Sequence, residues 1–207
     1  MADKHNQEVN NGNQNQLAGR DIINLNVEKF IDNSDYLARK LPSKIAVIIP
    51  ILSQALKKID DTNLGKRQTT PYDITNKIEH NDLREYRVIV EKYGQYRQVL
   101  DATYEEIDNQ DPGVKGNILR FINLRYDGIK ANCLKGVDIN NHEEVMRILR
   151  EKSDYIMREV KRCIKDTVTL DPTFKISIEE LEFCLVIIVC HAFIACKILE
   201  EPPNDYS

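Results

Sequence analysis

The hydrophobic pattern of this chain is strongest near its end, in residues 178–199. Residues 183–196 carry no formally charged side chain, and a helix with this pattern must be hidden on nearly all sides. Ser177 precedes the segment and Glu180 follows three residues later, which is the spacing of a capping box. We therefore predict a helix at 178–199 that is enclosed by the rest of the domain, a second copy of the chain or a partner protein.

Four further segments repeat apolar residues at helical spacing. The first covers about 45–59, where Pro50 predicts a kink or a split. The second is a long helix at about 73–108 with a nearly heptad apolar stripe. The other two lie at about 114–134 and 141–165. Together with the last helix they predict an all-α protein, a bundle of about five long helices with short connections.

Two polar residues interrupt these apolar stripes. Asn81 lies in the stripe of the long helix, where a buried asparagine needs partners and often sets helix register. We expect such a contact, and the alternative is an asparagine that faces solvent. His191 lies in the uncharged part of the last helix. There we expect a buried neutral histidine bonded to a neighbouring backbone group or tyrosine.

The first 27 residues differ from the rest of the chain. Residues 1–16 are polar and rich in asparagine and glutamine, a composition that cannot form a core, and apolar residues then alternate with Asn24 and Asn26. This alternation predicts one short strand, which needs a strand from another chain. The alternative is a flexible tail. We expect a leader at 1–27 and a helical bundle at 28–207, with oligomerisation through Ile22, Ile23, Leu25 and Val27.

Composition and charge exclude several classes of protein. The chain has 207 residues and a net charge of −4, so direct binding to nucleic acid or to an anionic membrane is not expected. The five cysteines include no C-x-x-C pair, which favours free buried thiols and a reducing, cytoplasmic location. The N-terminus has no apolar signal segment. The uncharged stretch at 183–196 is shorter than the roughly 20 residues that span a bilayer.

The search for catalytic motifs finds none. No phosphate-binding glycine loop, nucleophile elbow or zinc-protease motif occurs, and the four histidines are scattered. Glu159 and Lys161, with Asp154 upstream, resemble an E-x-K nuclease fragment, but their helical pattern predicts an exposed charged face. The basic residues of this helix are balanced by acids, which indicates ion pairs on a solvated surface. We expect no catalytic residue, cofactor or metal ion.

Four segments together resemble a known family. They are 75–81, 115–130, 179–189 and 191–202, and the most specific is A-F-x-x-C-K-I-L-x-x-P near the end of the chain, supported by K-I-x-x-N at 77–81. In this order they resemble the C-terminal domain of bacterial ABC-three-component (ABC-3C) conflict systems, over about 74–203. The positions that carry over are Lys77, Ile78, Asn81, Ala192, Phe193, Cys196, Lys197, Ile198, Leu199 and Pro202.

The resemblance implies a role in defence against phage or other mobile DNA. In such systems an effector with this domain acts together with an SMC- or ABC-like ATPase and a small middle component. Here only the leader and residues 30–60 precede the matching region, so no catalytic residue of an effector carries over.

These observations favour a non-enzymatic assembly component of an anti-phage defence system. We expect it to form homo-oligomers and to dock partner proteins, with an SMC- or ABC-like ATPase and effector components among them. One alternative is a regulatory or immunity protein that controls a neighbouring toxin. The other is a stand-alone nuclease with an unrecognised site.

Overall fold

The computed structural model describes residues 43–58, 72–171, 174–195 and 197–203, all within one unit that covers 42–207. These residues form helices joined by turns and loops, without a strand, in agreement with the all-α prediction. The predicted strand at 22–27, the leader and the boundary at 27/28 lie outside the described residues. The described helices are α1 (Lys44–Lys57), α2 (Tyr72–His80), α3 (Arg87–Gln110), α4 (Val114–Cys133), α5 (His142–Glu151), α6 (Ser153–Thr169) and α7 (Ile178–Ile194).

The predicted count of about five helices is not supported, in part because the long helix at 73–108 is broken. Helix α2 ends at His80 and α3 begins at Arg87. Between them Asp82 has a positive φ of 48°, a conformation that aspartate tolerates better than most residues. The apolar stripe already shows an irregular step of five residues here, from Asn81 to Tyr86.

A side chain from a distant part of the chain stabilises this break. The carboxylate of Asp154 accepts hydrogen bonds from the backbone N–H groups of Arg84 (3.1 Å), Glu85 (3.1 Å) and Tyr86 (2.9 Å). It therefore caps the start of α3 as an N-cap side chain would, although it belongs to α6.

The predicted helix at 141–165 is also broken, at Lys152 between α5 and α6. Its expected N-cap is present, since the Asn141 side chain accepts a hydrogen bond from the Glu144 N–H at 3.2 Å. The Ser153 hydroxyl donates to the Asp82 carbonyl at 3.3 Å. The two breaks thus lie against each other and fix the position of α2 and α3 relative to α5 and α6.

Helix α1 continues through Pro50 as a single helix, so the chain is not split there. Its buried residues include Ile45, Ile48, Ile49 and Leu52, and the helix packs against α3 and α7. It therefore covers one side of the most apolar helix of the domain.

Helix α7 lies at the centre and packs against α1, α3 and α6. The Ser177 hydroxyl accepts a hydrogen bond from the Glu180 N–H at 3.2 Å, as the capping box predicts. Leu185 and Ile188 are fully buried, but Phe183 is 42 % exposed. The described part of the domain therefore encloses α7 incompletely. None of the described helices has both the length and the apolar character that crossing a membrane requires.

Candidate functional site

Lys77 is a buried cation near the C-terminal end of α7. The residue belongs to α2 and is 4 % exposed. The ammonium group donates a hydrogen bond to the Phe193 carbonyl at 2.6 Å and lies 4.7 Å from the centre of the Phe193 ring. A carbonyl at the negative end of a helix and an aromatic face both stabilise a buried positive charge. Lys77 therefore ties α2 to the end of α7.

Asn81 binds the backbone of Glu200 in both directions. Its amide nitrogen donates to the Glu200 carbonyl at 2.8 Å, and its amide oxygen accepts from the Glu200 N–H at 3.0 Å. The same nitrogen donates to the Lys77 carbonyl at 2.8 Å. Asn81 is 1 % exposed, so its side-chain amide is shielded from water. They hold the segment at 197–200 against the end of α2.

Helix α4 holds the same segment from its other side. Glu200 Oε1 accepts hydrogen bonds from the Tyr126 hydroxyl and from Lys130 Nζ, the latter at 2.5 Å. The Asn123 amide donates to the Lys197 carbonyl at 3.3 Å. Partial burial acts to raise the pKa of Glu200, but the bonds from Lys130 and Tyr126 outweigh it and lower the pKa below its ordinary value. Glu200 is therefore held as a carboxylate.

The segment at 197–200 is also anchored by its own apolar side chains. Ile198 is fully buried and Leu199 is 4 % exposed, although Leu199 has a positive φ of 63°. Such a backbone conformation costs on the order of 1–3 kcal/mol. The burial of both side chains and the bonds to Asn81 offset this cost, so the segment is a fixed part of the domain.

The structure thus brings together residues that the sequence analysis singled out as motif positions. Lys77, Ile78, Asn81 and Phe193 are buried and stabilise the domain from inside. Lys197 has an exposed side chain, and its N–H donates to the Ala192 carbonyl at 2.9 Å. Cys196 and the predicted oligomerisation residues Ile22, Ile23, Leu25 and Val27 lie outside the described residues.

His191 lies in a second buried polar cluster, between α7 and α3. Its Nε2 is 3.4 Å from Asp101 Oδ1, and its ring centre lies 6.1 Å from that of Tyr93 and 5.3 Å from that of Tyr104. Among the described residues, His191 Nδ1 and the two tyrosine hydroxyls have no hydrogen-bond partner. The expected tyrosine or backbone bond to His191 is therefore not formed, and its neighbour is a carboxylate instead.

Burial decides the charge of His191. It lowers the pKa of His191 below the ordinary value, while Asp101 acts in the opposite direction. Asp101 also contacts Lys115 at 3.3 Å and Arg97 at 3.8 Å, so its charge is shared among three partners. The histidine is 6 % exposed, which leaves it without access for a substrate. This cluster is part of the core.

The nuclease-like fragment has structural partners along α6. Glu159 pairs with Arg162 at 2.8 Å, Lys161 pairs with Glu182 at 3.0 Å, and Asp154 caps the start of α3. Within the described ranges, no group of three or more histidine, cysteine, aspartate or glutamate side chains is placed to hold a metal ion. These residues therefore serve packing and ion pairing.

Four of the five cysteines fall in the described ranges and are free thiols. The Cys184 thiol donates to the Ile49 carbonyl at 3.7 Å. Burial raises the pKa of Cys184 and of Cys190 to about 12, which suppresses the reactive thiolate form. These two residues act as small core side chains.

A surface groove between α3 and α7 is the feature that the sequence analysis missed. It has a volume of about 150 Å³. At its edge the rings of Tyr96 and Phe183 meet edge to face, with centres 5.2 Å apart and planes at 88°. The uncharged run at 183–196 predicts burial on nearly all sides, and no local pattern shows which side stays open. The groove is lined by Ile89, Lys92, Tyr93, Tyr96, Phe183, Val186, Ile187 and Cys190.

Comparison with known proteins gives one match. A family model described as C-terminal domain 10 of the ABC-three component (ABC-3C) systems matches residues 48–200. No curated protein and no solved structure matches the chain. The match confirms the resemblance seen at 74–203 and extends it to α1, which the sequence analysis placed ahead of the family region. It ends at Glu200, the residue whose backbone Asn81 binds.

Proposed function

The chain belongs to the family of C-terminal domain 10 of the ABC-three component systems, and on this basis we propose that it acts within such a system by binding other proteins. In this proposal it has no catalytic role of its own. It serves defence against phage or other mobile DNA by connecting components of the system, an SMC- or ABC-like ATPase and an effector among them.

The observation that carries this proposal is the open side of α7. Phe183 is 42 % exposed on the most apolar helix of the domain, and Tyr96 and Val186 are only partly covered beside it. A contiguous apolar patch with a polar surround is typical of a protein interaction surface. The motif residues Lys77 and Asn81 support the proposal indirectly, because they build the scaffold that holds α7 in place.

A second part of the proposal concerns the leader. We propose that residues 22–27 pair with the same segment of other copies, so that the chain presents several helical domains at once. Linked copies bind a multivalent partner more tightly than a single copy does. Their alternation of apolar residues with Asn24 and Asn26 supports this role.

Co-expression with the proteins encoded beside this chain tests the proposal. The tagged chain should co-purify with at least one of them, and light scattering should give a complex of constant stoichiometry. A chain that stays alone at micromolar concentrations of every neighbouring protein would contradict the proposal. A nuclease assay with added Mg²⁺ or Mn²⁺ checks the enzymatic alternative. Cleavage by the wild-type chain that is lost in Glu159→Ala would support that alternative.

A further inference from the structure

We propose that the α3–α7 groove binds one helix of a partner protein, and that this helix presents an apolar anchor side chain and a nearby carboxylate. The inference rests on the proposed function and specifies the chemistry of the partner. Three properties of the groove support it: its size, its apolar walls and its charge.

The size of the groove suits a single side chain. Its volume of about 150 Å³ is smaller than the roughly 300–1,000 Å³ of sites for small molecules. An apolar cavity of about 150 Å³ holds a group the size of benzene. A phenylalanine or leucine of a partner therefore fits it better than a cofactor or a metabolite.

The walls of the groove are the facing surfaces of α3 and α7, which are mostly apolar and aromatic, and this is the form of a helix-binding groove. Tyr96 and Phe183 form one rim, and Val88, one turn before Lys92 on α3, is 54 % exposed. Ile89, Tyr93 and Tyr96 recur at helical spacing in the lining, so the apolar surface forms a strip along α3. A helix with apolar residues at i, i+3 or i+4 and i+7 covers such a strip.

The charge at the groove is positive. Lys92 is the charged residue in its lining, and no carboxylate of the described residues pairs with it, whereas nearby Arg87 pairs with Glu91 at 3.0 Å. On α7, Glu182 precedes Phe183 and binds both Lys161 and Lys165, at 3.0 and 2.7 Å. These three residues do not line the groove, so Lys92 is the charge that the groove itself presents. An acidic residue on the partner complements this surface.

The same charge argues against a second copy of the chain as the occupant. In a two-fold symmetric contact centred on the groove, each surface meets itself. Lys92 of one copy would then approach Lys92 of the other, and this repulsion between like charges costs free energy in a desolvated interface. A different protein with an acidic helix has no such conflict.

Binding of synthetic peptides tests the inference. The probes are overlapping peptides of about 20 residues, long enough to form an amphipathic helix, that cover the proteins encoded beside this chain. Fluorescence anisotropy measures their affinity for the full chain. A peptide with apolar residues at helical spacing and an aspartate or glutamate should bind.

Three variants of the chain then locate the binding surface. Phe183→Asp should lower the affinity for the peptide about thirtyfold or more, as loss of an anchor contact does. Lys92→Glu should lower this affinity about tenfold. A peptide whose acidic residue is changed to lysine should bind the Lys92→Glu variant with the affinity restored. Lys135→Glu changes an exposed lysine after α4 and serves as the control without effect. Circular dichroism confirms that each variant is folded.

Several results would overturn the inference. One is a peptide whose affinity is the same for the wild-type chain and for Phe183→Asp. Another is a homo-oligomer that Phe183→Asp dissociates in light scattering, because a second copy would then occupy the groove. If no peptide binds but the intact neighbouring proteins still form a complex with the chain, the inference fails and the proposed function stands. If no complex forms either, both fail.

Discussion

At the scale of single residues, buried polar side chains decide how the ends of this domain are held. Asn81 and Lys77 bind backbone groups of residues that follow them by more than 110 positions in the chain. Their bonds are specific because each buried amide or ammonium group meets a backbone carbonyl or N–H at hydrogen-bond distance. Such positions tolerate substitution poorly, since removal of one partner leaves the other buried and unpaired.

Asn81→Ala should lower the free energy of unfolding by about 2–4 kcal/mol. The substitution removes three hydrogen bonds, two of them to the Glu200 backbone. Urea denaturation followed by circular dichroism measures the change. Asn132→Ala on the exposed face of α4 is the control, with an expected change within about 0.5 kcal/mol. Equal stability of the two variants would mean that Asn81 does not hold the 197–200 segment.

The pH dependence of stability should report on His191. Burial places its pKa in the folded chain below the ordinary value of 6.5, so the unfolded chain takes up a proton more readily. The free energy of unfolding should therefore fall as the pH falls below about 6.5. The groups that face His191 are Asp101, Lys115, Arg97, Tyr93 and Tyr104.

Comparison of variants isolates this contribution, because His80 also has a lowered pKa. His191→Gln should flatten the decrease in stability between pH 7 and pH 5 relative to the wild-type chain. His142→Gln, at an exposed position, should leave the decrease unchanged. If both variants follow the wild-type curve, His191 does not titrate differently in the folded and unfolded chains.

At the scale of elements, the helical periodicity predicts where helices occur but not where they break. The apolar stripe of 73–108 runs across the loop at 81–86, because residues on both sides of the loop pack into the same core. The break is fixed by Asp154, which lies about 70 residues later in the chain. The loop could be anticipated only from the irregular step between Asn81 and Tyr86.

Asp154→Ala should therefore destabilise the domain by about 1–2 kcal/mol, as the loss of an N-cap side chain does. It leaves three backbone N–H groups at the start of α3 without their carboxylate acceptor. Thermal denaturation of this variant can be compared with that of Asp127→Ala, which changes an exposed aspartate on α4. A melting temperature equal to that of Asp127→Ala would show that the cap does not stabilise the break.

The two sides of α7 should respond differently to the same substitution. Leu185→Asp places a charge in the fully buried side and should cost more than about 4 kcal/mol, enough to unfold a marginal domain. Phe183→Asp lies on the open side and should leave the chain folded. Circular dichroism distinguishes the two outcomes, and a folded Leu185→Asp variant would contradict the central position of α7.

At the scale of the whole molecule, the family and the all-α class could be read from the sequence, because they depend on local periodicity and on short motifs. The site could not. The motif residues Lys77, Asn81 and Phe193 are prominent in the sequence, yet they lie in the interior. The groove depends on which side of α7 its neighbours leave open, and this is a property of the packing of three helices rather than of any segment.

Deletion of residues 1–27 should lower the oligomeric state while the helical signal of the domain persists. The proposed role of the leader requires this, since strand pairing between copies would be lost. Light scattering measures the mass, and a full-length variant with Ile23→Asn and Leu25→Asn tests the same contact without shortening the chain. An unchanged mass in both proteins would show that the leader does not contribute to oligomerisation.

Hydrogen–deuterium exchange tests most directly whether this chain works by docking partner proteins through its helical domain. Amide exchange is measured for the chain alone and for the chain mixed with the proteins encoded beside it. The account predicts slower exchange at 89–96 in α3 and 183–190 in α7, with unchanged exchange at the exposed end of α4. Exchange that is the same throughout 43–203 in both samples would contradict it.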